Sequence, residues 1–497
     1  VSGSYVDPVN GKNSFTFTGA QIDVQGTSSA TYARKNYKIK FNGGFVIPNG
    51  NTVETYAMRS DSIPTDTFTF KADVASSEGA NNVELARLYN DACPYKTAYQ
   101  EEDPRIRQGI DGFPIVVFWF DGNNTTFLGK YNFNNDKGTP EIFGFQTGDE
   151  SWEIRNNTSD RVLWKSDDFE GTDWQNDFEA RYPDKYTDAT QLNRLSTWLK
   201  STDTTAATDN ALETEIVYDG VSFTHDTADY RLAKFKAEFD QYLEREPVLF
   251  YYLFTELFLM VDSRAKNMFP SIMGGSKWFS LPYDFDTAIG INNEGALTFS
   301  YHLEDIDLTE TGADVYNGQQ SVLWVNVRKA FPDELMEMYQ TLRSNKVLSF
   351  ADTERRFEEH QAKWPEAVFN EDSYFKYLAP LEESNTASYL SMLQGSKAEQ
   401  RKWWLYNRFR YIDSKYNAGD ALTDVVTLRG YAKSDISVMP YADIYATIKY
   451  GSYLVQKRAF RNQEYVMPCP LDNVNDTEIY VYSASQLKSI GDVSGLM

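Results

Sequence analysis

The stretch from Asp262 to Asp286 constrains this chain more than any other. Asp262-Ser-Arg-Ala-Lys-Asn267 sets an acid and an amide four residues apart, directly after the apolar run Pro247–Val261. A short strand pattern, a Gly274-Gly275 turn and a second strand pattern follow, and the chain then returns Tyr283-Asp284-Phe285-Asp286. A helix that ends in an acid–amide loop, followed by a hairpin that ends in two more acids, gathers oxygen donors in one place. Mg²⁺ is a hard cation that takes oxygen ligands in octahedral geometry, so Asp and Asn suit it where His and Cys would not. The plain alternative puts Asp262 in a helix-terminal loop and Asp284 and Asp286 in a solvated turn. Trp278, Phe279, Leu281, Tyr283 and Ile289 argue against it, because carboxylates among apolar neighbours need a partner and a metal is one.

Composition narrows the function classes. The formal charge of −24 disfavours nucleic acid and anionic membrane surfaces as partners, since both need basic patches. It does not oppose a metal–nucleotide complex, where a few local cations set the field. Cys93 and Cys469 lie far apart and make no framework, and His225, His302 and His360 are scattered, which argues against a zinc site or a Ser-His-Asp triad. Pro247–Val261 is too short to span a membrane and reads as a buried helix. No signal peptide is visible, and the start at Val1 and the stop straight after a strand-like pattern read as a fragment of a longer protein.

Patterning along the chain gives the organisation. Strand patterns at Ser14–Thr18, Gln21–Val24, Lys35–Phe41 and Thr67–Ala72, a helix over Glu78–Ala92, and a hairpin of Ile115–Phe120 and Phe127–Phe133 about Asp121-Gly122 describe a β-rich region. Residues 150–225 are polar and mixed, with a helix at Gln191–Lys200. Helices follow at Asp229–Tyr242, Glu246–Val261, Asn317–Ala330, Pro332–Ser344, Ala351–Trp364 and Lys397–Tyr416. From Asp424 the pattern alternates as strands do, over Val425–Arg429, Ala442–Tyr450, Tyr453–Phe460 and Glu478–Tyr482.

A second candidate segment lies near the N-terminus. The small-residue loop Gly26-Thr-Ser28-Ser29-Ala-Thr precedes Lys35-Asn36-Tyr37-Lys38-Ile39-Lys40-Phe41. Tyr37, Ile39 and Phe41 point to one side of that strand, and Asn36, Lys38 and Lys40 to the other. Such a loop lets backbone N–H groups and hydroxyls approach phosphate oxygens while a neighbouring Lys supplies charge. An ordinary turn beside a solvated cationic face reads equally well.

These segments together resemble the spore coat protein H (CotH) kinase-like family, an atypical branch of the protein-kinase fold. The resemblance spans roughly residues 15–415. It rests on Gly26-Thr-Ser-Ser with Arg34–Phe41, on Leu128-Gly129-Lys130-Tyr131, and on Asp262-x4-Asn267 followed by Leu281-Pro-Tyr-Asp-Phe-Asp286. It implies ATP and Mg²⁺ (or Mn²⁺) as cofactors and phosphoryl transfer to Ser or Thr. Asp262 takes the catalytic role; Asn267, Asp284 and Asp286 are the metal residues; Gly26, Ser28, Ser29, Lys35 and Lys38 meet the nucleotide. Three positions depart from the family pattern: Gln25 stands for its Arg, Tyr283 for its Trp, and Asn135, with Asp136 next to it, for its Glu. The Gln-Gly-Thr-Ser-Ser variant and Phe178–Asp184 are also similar to structural proteins of bacteriophages from gut bacteria.

The expectation is therefore an α+β chain with a two-lobed protein-kinase-like fold: a lead-in over residues 1–14, a β-rich lobe over about 15–145, a helical lobe with its insertion over about 146–415, and a small β domain over 416–497. Its function is expected to be phosphoryl transfer to a coat, virion or surface protein, located on a virion or cell surface. The alternative is a catalytically inactive kinase-like module of a phage tail or adhesin-type virion protein. Partners are then a protein substrate or a neighbouring virion protein, with oligomerisation as part of a larger assembly.

Overall fold

In the computed structural model the described residues are 1–26, 29–32, 34–73, 79–154, 171, 173–260, 263–264, 267–291, 297, 299–304, 321–363, 397–418, 426–431, 444–450, 453–459, 464–469 and 478–483. The chain is of the α+β class and divides into two compact units, residues 1–338 with 360–394 and residues 339–359 with 395–497. Helix Lys397–Lys415, which the sequence reading grouped with the residues before it, belongs with the C-terminal strands in this division.

The first unit opens on a small sheet of β1 (Gly3–Tyr5), β2 (Phe15–Phe17), β5 (Phe45–Val46) and β6 (Thr52–Val53). It then builds a five-stranded antiparallel sheet, ordered β3 (Gln21–Gln25), β4 (Asn36–Lys40), β7 (Thr67–Lys71), β9 (Thr125–Asn135) and β8 (Gly112–Phe120). Strand alternation gives this sheet two unlike faces. Ile39, Phe68 and Phe133 stand on one and pack with Phe15, Phe41, Phe45 and Tyr56 into an aromatic core. Phe68 and Phe133 stack at 4.5 Å between ring centres. The opposite face carries Lys38, Thr69, Lys71, Asn132 and Asn134, because Lys38 pairs with Thr69, Thr69 with Asn134 and Lys71 with Asn132 in register. The last part of β8 and the first part of β9 run beyond β7 as a two-stranded ribbon, and Phe118, Trp119 and Phe120 near its tip are 62%, 42% and 66% exposed.

Helix α1 (Asn81–Ala92) follows the sheet's third strand in sequence, and α2 is Ala98–Glu102. A second sheet is ordered β11 (Phe178–Tyr182), β10 (Glu150–Ile154), β14 (Met268–Ile272) and β15 (Phe279–Pro282). Helices α3 (Thr190–Thr202), α4 (Ala228–Tyr242), α5 (Arg245–Leu257) and α6 (Val322–Ala330) complete the unit's helical part, with the hairpin of β12 (Ala211–Tyr218) and β13 (Val221–His225) between α3 and α4. Every residue of α5 from Pro247 to Leu257 is buried, as its apolar sequence requires. Glu256 within it is fully buried and not without a partner. The helix stops at Leu257 rather than running on to Val261.

Two fully or nearly buried ion pairs hold the helices of the second unit. Arg343 meets Asp413 at 2.7 Å with both side chains wholly buried, and Arg401 meets Glu354 at 3.1 Å. They lie on α7 (Pro332–Ser344), α8 (Phe350–Ala362) and α9 (Lys397–Lys415). Beyond these, β16 (Val426–Tyr431) pairs with β19 (Glu464–Cys469), and β17 (Ile444–Tyr450) lies between β18 (Tyr453–Ala459) and β20 (Glu478–Ser483). The sequence alternation found all of these strands except β19.

Candidate metal and phosphate site

The site begins at the polar end of β7. Residues 67, 69 and 71 share a face, so Lys71 leaves the strand on the side away from the aromatic core. Its Nζ lies 2.8 Å from Asp284 Oδ1, and its side chain is 9% exposed against 20% for Asp284. The β14–β15 hairpin delivers that carboxylate. Met268 pairs with Pro282, and Tyr283 N donates to Asn267 O at 2.9 Å, so Asn267 and Asp284 leave the same end of one ladder. Both residues adopt left-handed backbone, with φ of +57° at Asn267 and +61° at Asp284. Burial works against both charges of the Lys71–Asp284 pair, yet each holds the other ionised: Lys71 is raised well above its ordinary value and Asp284 lowered below its own.

Side chains behind the pair fix it in place. Asn82 on α1 accepts from Phe285 N at 2.7 Å and donates to Asp73 Oδ1 at 2.6 Å. Asn132 on β9 also donates to Asp73, through its other carboxylate oxygen. Asn81 donates to Asp286 O at 3.1 Å, and Asp286 Oδ1 accepts from Thr287 N. Burial pushes the Asp73 carboxyl up to about 6. Tyr283 lies under the site, stacked on Phe269 at 5.2 Å, with Lys71 Nζ 5.4 Å and Lys137 Nζ 4.9 Å from its ring centre. Lys137 also meets Glu153 at 2.6 Å. The site thus has two ammonium groups over one aromatic ring, each paired with a carboxylate: Lys71 with Asp284 and Lys137 with Glu153.

A neighbouring cluster takes up the other basic residues that the sequence singled out. Lys38 Nζ binds Asp136 Oδ2 at 2.8 Å, and Gln25 Nε2 reaches Asp136 Oδ1 at 3.1 Å, joined by Thr69 Oγ1 and Gly138 N. Gly138 is needed there, since a Cβ would stand 2.9 Å from Asp136 Oδ2. Gln25 and Asp136 are thus partners, and Asp136 is the neighbour of Asn135, the residue that stands for the family pattern's Glu. Lys35 turns back on its own loop and donates to Ala30 O and Tyr32 O. Ser29 Oγ accepts from Asn36, and Gly26 has φ of +103° with Ser29 Oγ in the space a Cβ would need. Asp262 and Ser28 lie outside the described residues.

The lysine bonded to the metal-type carboxylate is therefore Lys71, not Lys35 or Lys38. Its signal in the sequence was the alternation Thr67-Phe-Thr-Phe-Lys71, which sets a lone Lys on the polar side of a strand otherwise facing an aromatic core. Asp73, Asn81, Asn82 and Lys137 were also missed, and only tertiary pairing makes them visible. The loop that carries Asp262 is anchored by Arg264. That fully buried guanidinium donates to Thr255 Oγ1 at 3.0 Å and Tyr252 O at 2.9 Å, while Trp324 Nε1 donates to Arg264 O.

The donor set fits Mg²⁺. Asp284 and Asn267 offer oxygens only, and Mg²⁺ keeps several waters rather than demanding a full protein cage. Among the described residues no group of three or more His, Cys, Asp or Glu is placed to hold a metal ion, carboxylate clusters included. A separate cleft of about 520 Å³ is lined by Arg59, Arg87, Arg107 and Asp111. Its arginines are taken up by Asp61, Asp111 and Glu84, so it is a self-neutralised cluster rather than an anion site.

The chain matches no protein-family model, and no curated protein matches it in sequence. The functional reading therefore stands on this geometry and on the motifs that carry the resemblance. Among the described residues no helix is long and apolar enough to cross a membrane.

Proposed function

We propose that the first unit binds a Mg·ATP-type nucleotide in the manner of a CotH-like protein kinase, and transfers a phosphoryl group to a Ser or Thr hydroxyl of a coat, virion or surface protein. The observation that carries this reading is the 2.8 Å Lys71–Asp284 pair at the junction of the polar sheet face and the hairpin end. Phosphoryl transfer needs little covalent work from a protein; positioning and charge stabilisation do nearly all of it. Lys71 and Lys137, whose ammonium groups lie 5.4 Å and 4.9 Å from the Tyr283 ring centre, would supply positive charge to phosphate oxygens. Asp284 and Asn267 would hold Mg²⁺, which when bound neutralises phosphate charge. Asp262 takes the acceptor-hydroxyl role by resemblance.

Calorimetric titration with ATP and Mg²⁺ or Mn²⁺, paired with radiolabel transfer to a generic protein acceptor, tests this. Binding is expected in the parent, lost in Asp284→Ala, and kept in Asp262→Ala, which loses transfer only. Absence of binding with either metal overturns the reading.

A second reading, a catalytically inactive kinase-like module of a phage tail or adhesin-type protein, is favoured by two observations. Gln25 brings an uncharged amide to Asp136, and the β8–β9 ribbon exposes three consecutive large aromatics. Nucleotide binding without transfer in the parent would support it.

A further inference from the structure

We propose that Asn81 and Asn82, the first two residues of α1, are positioning residues that hold Asp284 in its metal-binding orientation and tie that orientation to the seating of α1. The proposal deepens the nucleotide reading and rests on it for the binding measurement alone.

Asn is a poor choice for a helix interior because its side chain competes for nearby backbone groups, and it is favoured instead as an N-cap. Here neither residue caps the helix. The N-cap is Ala80, which makes no side-chain cap bond, and Asn81 and Asn82 sit just inside, 3% and 4% exposed. Both side chains leave the helix to grip a segment some two hundred positions further along the chain. Asn82 Oδ1 accepts from Phe285 N at 2.7 Å, and Asn81 Nδ2 donates to Asp286 O at 3.1 Å. The peptide on the C-terminal side of Asp284 is thus held by one asparagine, and the carbonyl two residues on by the other. Asn82 Nδ2 meanwhile spans to Asp73 Oδ1 at 2.6 Å, two residues beyond Lys71 on the same chain. One amide therefore links α1, the end of β7 that carries Lys71, and the hairpin end that carries Asp284.

The grip has something to hold. Asp284 has φ of +61°, and a non-glycine residue in left-handed backbone costs roughly 1–2 kcal/mol, so surrounding contacts must over-determine it. The acid on the next turn of the helix, Glu84, does not serve this end: it binds His360 Nδ1 at 2.9 Å and Arg87 at 3.2 Å. The asparagines are the contacts from α1 that reach the Asp284–Asp286 backbone among the described residues.

The test combines amide hydrogen exchange with Mg·ATP titration on the full chain. Asn82→Ala, Asn82→Asp and Asn81→Ala are compared with the parent and with Asn90→Ala, a control further along α1. Asn82→Ala is expected to lose protection in peptides covering residues 283–287 while the aromatic core keeps its own, and to weaken Mg·ATP binding about tenfold, the range seen when groups behind a metal ligand are removed. Asn82→Asp keeps an acceptor for Phe285 N but faces Asp73 with a second carboxylate. It should therefore recover protection and affinity in part, and more at low pH than at high. Local protection unchanged in Asn82→Ala overturns the grip. Protection lost with affinity unchanged overturns the positioning role. A parent that binds no Mg·ATP, with exchange behaving as expected, refutes the nucleotide reading and leaves the grip standing.

Discussion

At the scale of single residues, burial decides which charges matter. The Lys71–Asp284 pair is mostly out of water, and removing one partner strands the other, which costs a few kcal/mol where burial is full. Asp284 keeps 20% exposure, so Lys71→Met is expected to lower stability by about 2 kcal/mol, less than a sealed pair would lose, and to abolish nucleotide binding; denaturant melts and calorimetry read the two effects. Two other groups make stability depend on pH with opposite signs. Burial raises Asp73 from 3.8 to about 6, so between those values the folded protein keeps a proton that the unfolded chain has shed, and stability falls as pH rises through the window. Burial lowers His360 from 6.5 to about 4, although Glu84 accepts from its Nδ1, and its Nε2 has no partner, as suits a neutral ring. The unfolded chain then takes up a proton that the folded one refuses, and stability falls as pH drops through that range. The two slopes oppose each other between about pH 4 and 6. In Asp73→Asn the Asp73 slope is removed while those of His360 and of the other shifted groups, Glu354 among them, remain, so that variant should lose stability more steeply on acidification than the parent, by roughly 3 kcal/mol over the window if the full Asp73 shift is recovered. Equal slopes in parent and variant would show that Asp73 is not the titrating group.

At the scale of elements, patterns with one dominant period were legible and those set by partners were not. The alternation in Lys35–Phe41 gave both strand and facing, since Ile39 and Phe41 do enter the core while Lys38 pairs with Thr69 on the polar face, and Thr67–Ala72 gave a strand. The apolar run before Asp262 gave a buried helix, and the acid–amide hairpin order gave the end of the ladder where Asn267 and Asp284 emerge together. The polar stretch before α3 hid β10 and β11. Strand β10 is short, and its apolar alternation is only Trp152 and Ile154 among Glu150, Ser151 and Glu153, too brief to announce it; its pairing with β11 and with Ser271 and Ile272 of β14 makes it a strand. Lys71 escaped notice for a related reason. A single Lys at a strand end is common, and its meaning comes from a partner 213 residues away. The β8–β9 ribbon makes the matching prediction for surface elements. Phe118, Trp119 and Phe120 bury little, so replacing each with Thr is expected to shift stability by less than about 0.5 kcal/mol while improving solubility, in thermal melts and light scattering. A large loss of stability would mean that the tip packs against something in the folded chain.

At the scale of the whole molecule, the two units answer to different interactions. The described side chains of the candidate metal and phosphate site all fall within residues 1–338, whereas α9 and the C-terminal strands group in the second unit. The helices of that second unit pack Trp404, Leu405, Phe409 and Ile412 into an apolar core and also enclose charge removed from water. Asp413 receives Arg343 at 2.7 Å and 2.9 Å and the Tyr339 hydroxyl at 2.8 Å, with no exposure on either charged partner. Such a pair does not by itself prove a gain over an apolar contact, but breaking it leaves a buried guanidinium with nothing to neutralise it. Asp413→Ala is therefore expected to cost about 3–5 kcal/mol in the transition that reports α9, which is large against the usual margin of stability. Asp413→Leu paired with Arg343→Met should recover much of it, because two apolar side chains of similar size do not need each other's charge. Neither change touches Lys71, Asn82 or Asp284, so Mg·ATP titration well below the melting temperature should match the parent in both variants. A chain ending after Ala418 keeps Asp413 and Arg401 and should retain the same helical transition, while one ending before Lys397 strands Arg343 and Glu354 together and should lose it. If Asp413→Ala instead abolished nucleotide binding at temperatures where circular dichroism shows the fold intact, the site would depend on helices that the division of the chain assigns elsewhere, and the assignment of function to the first unit alone would have to be given up.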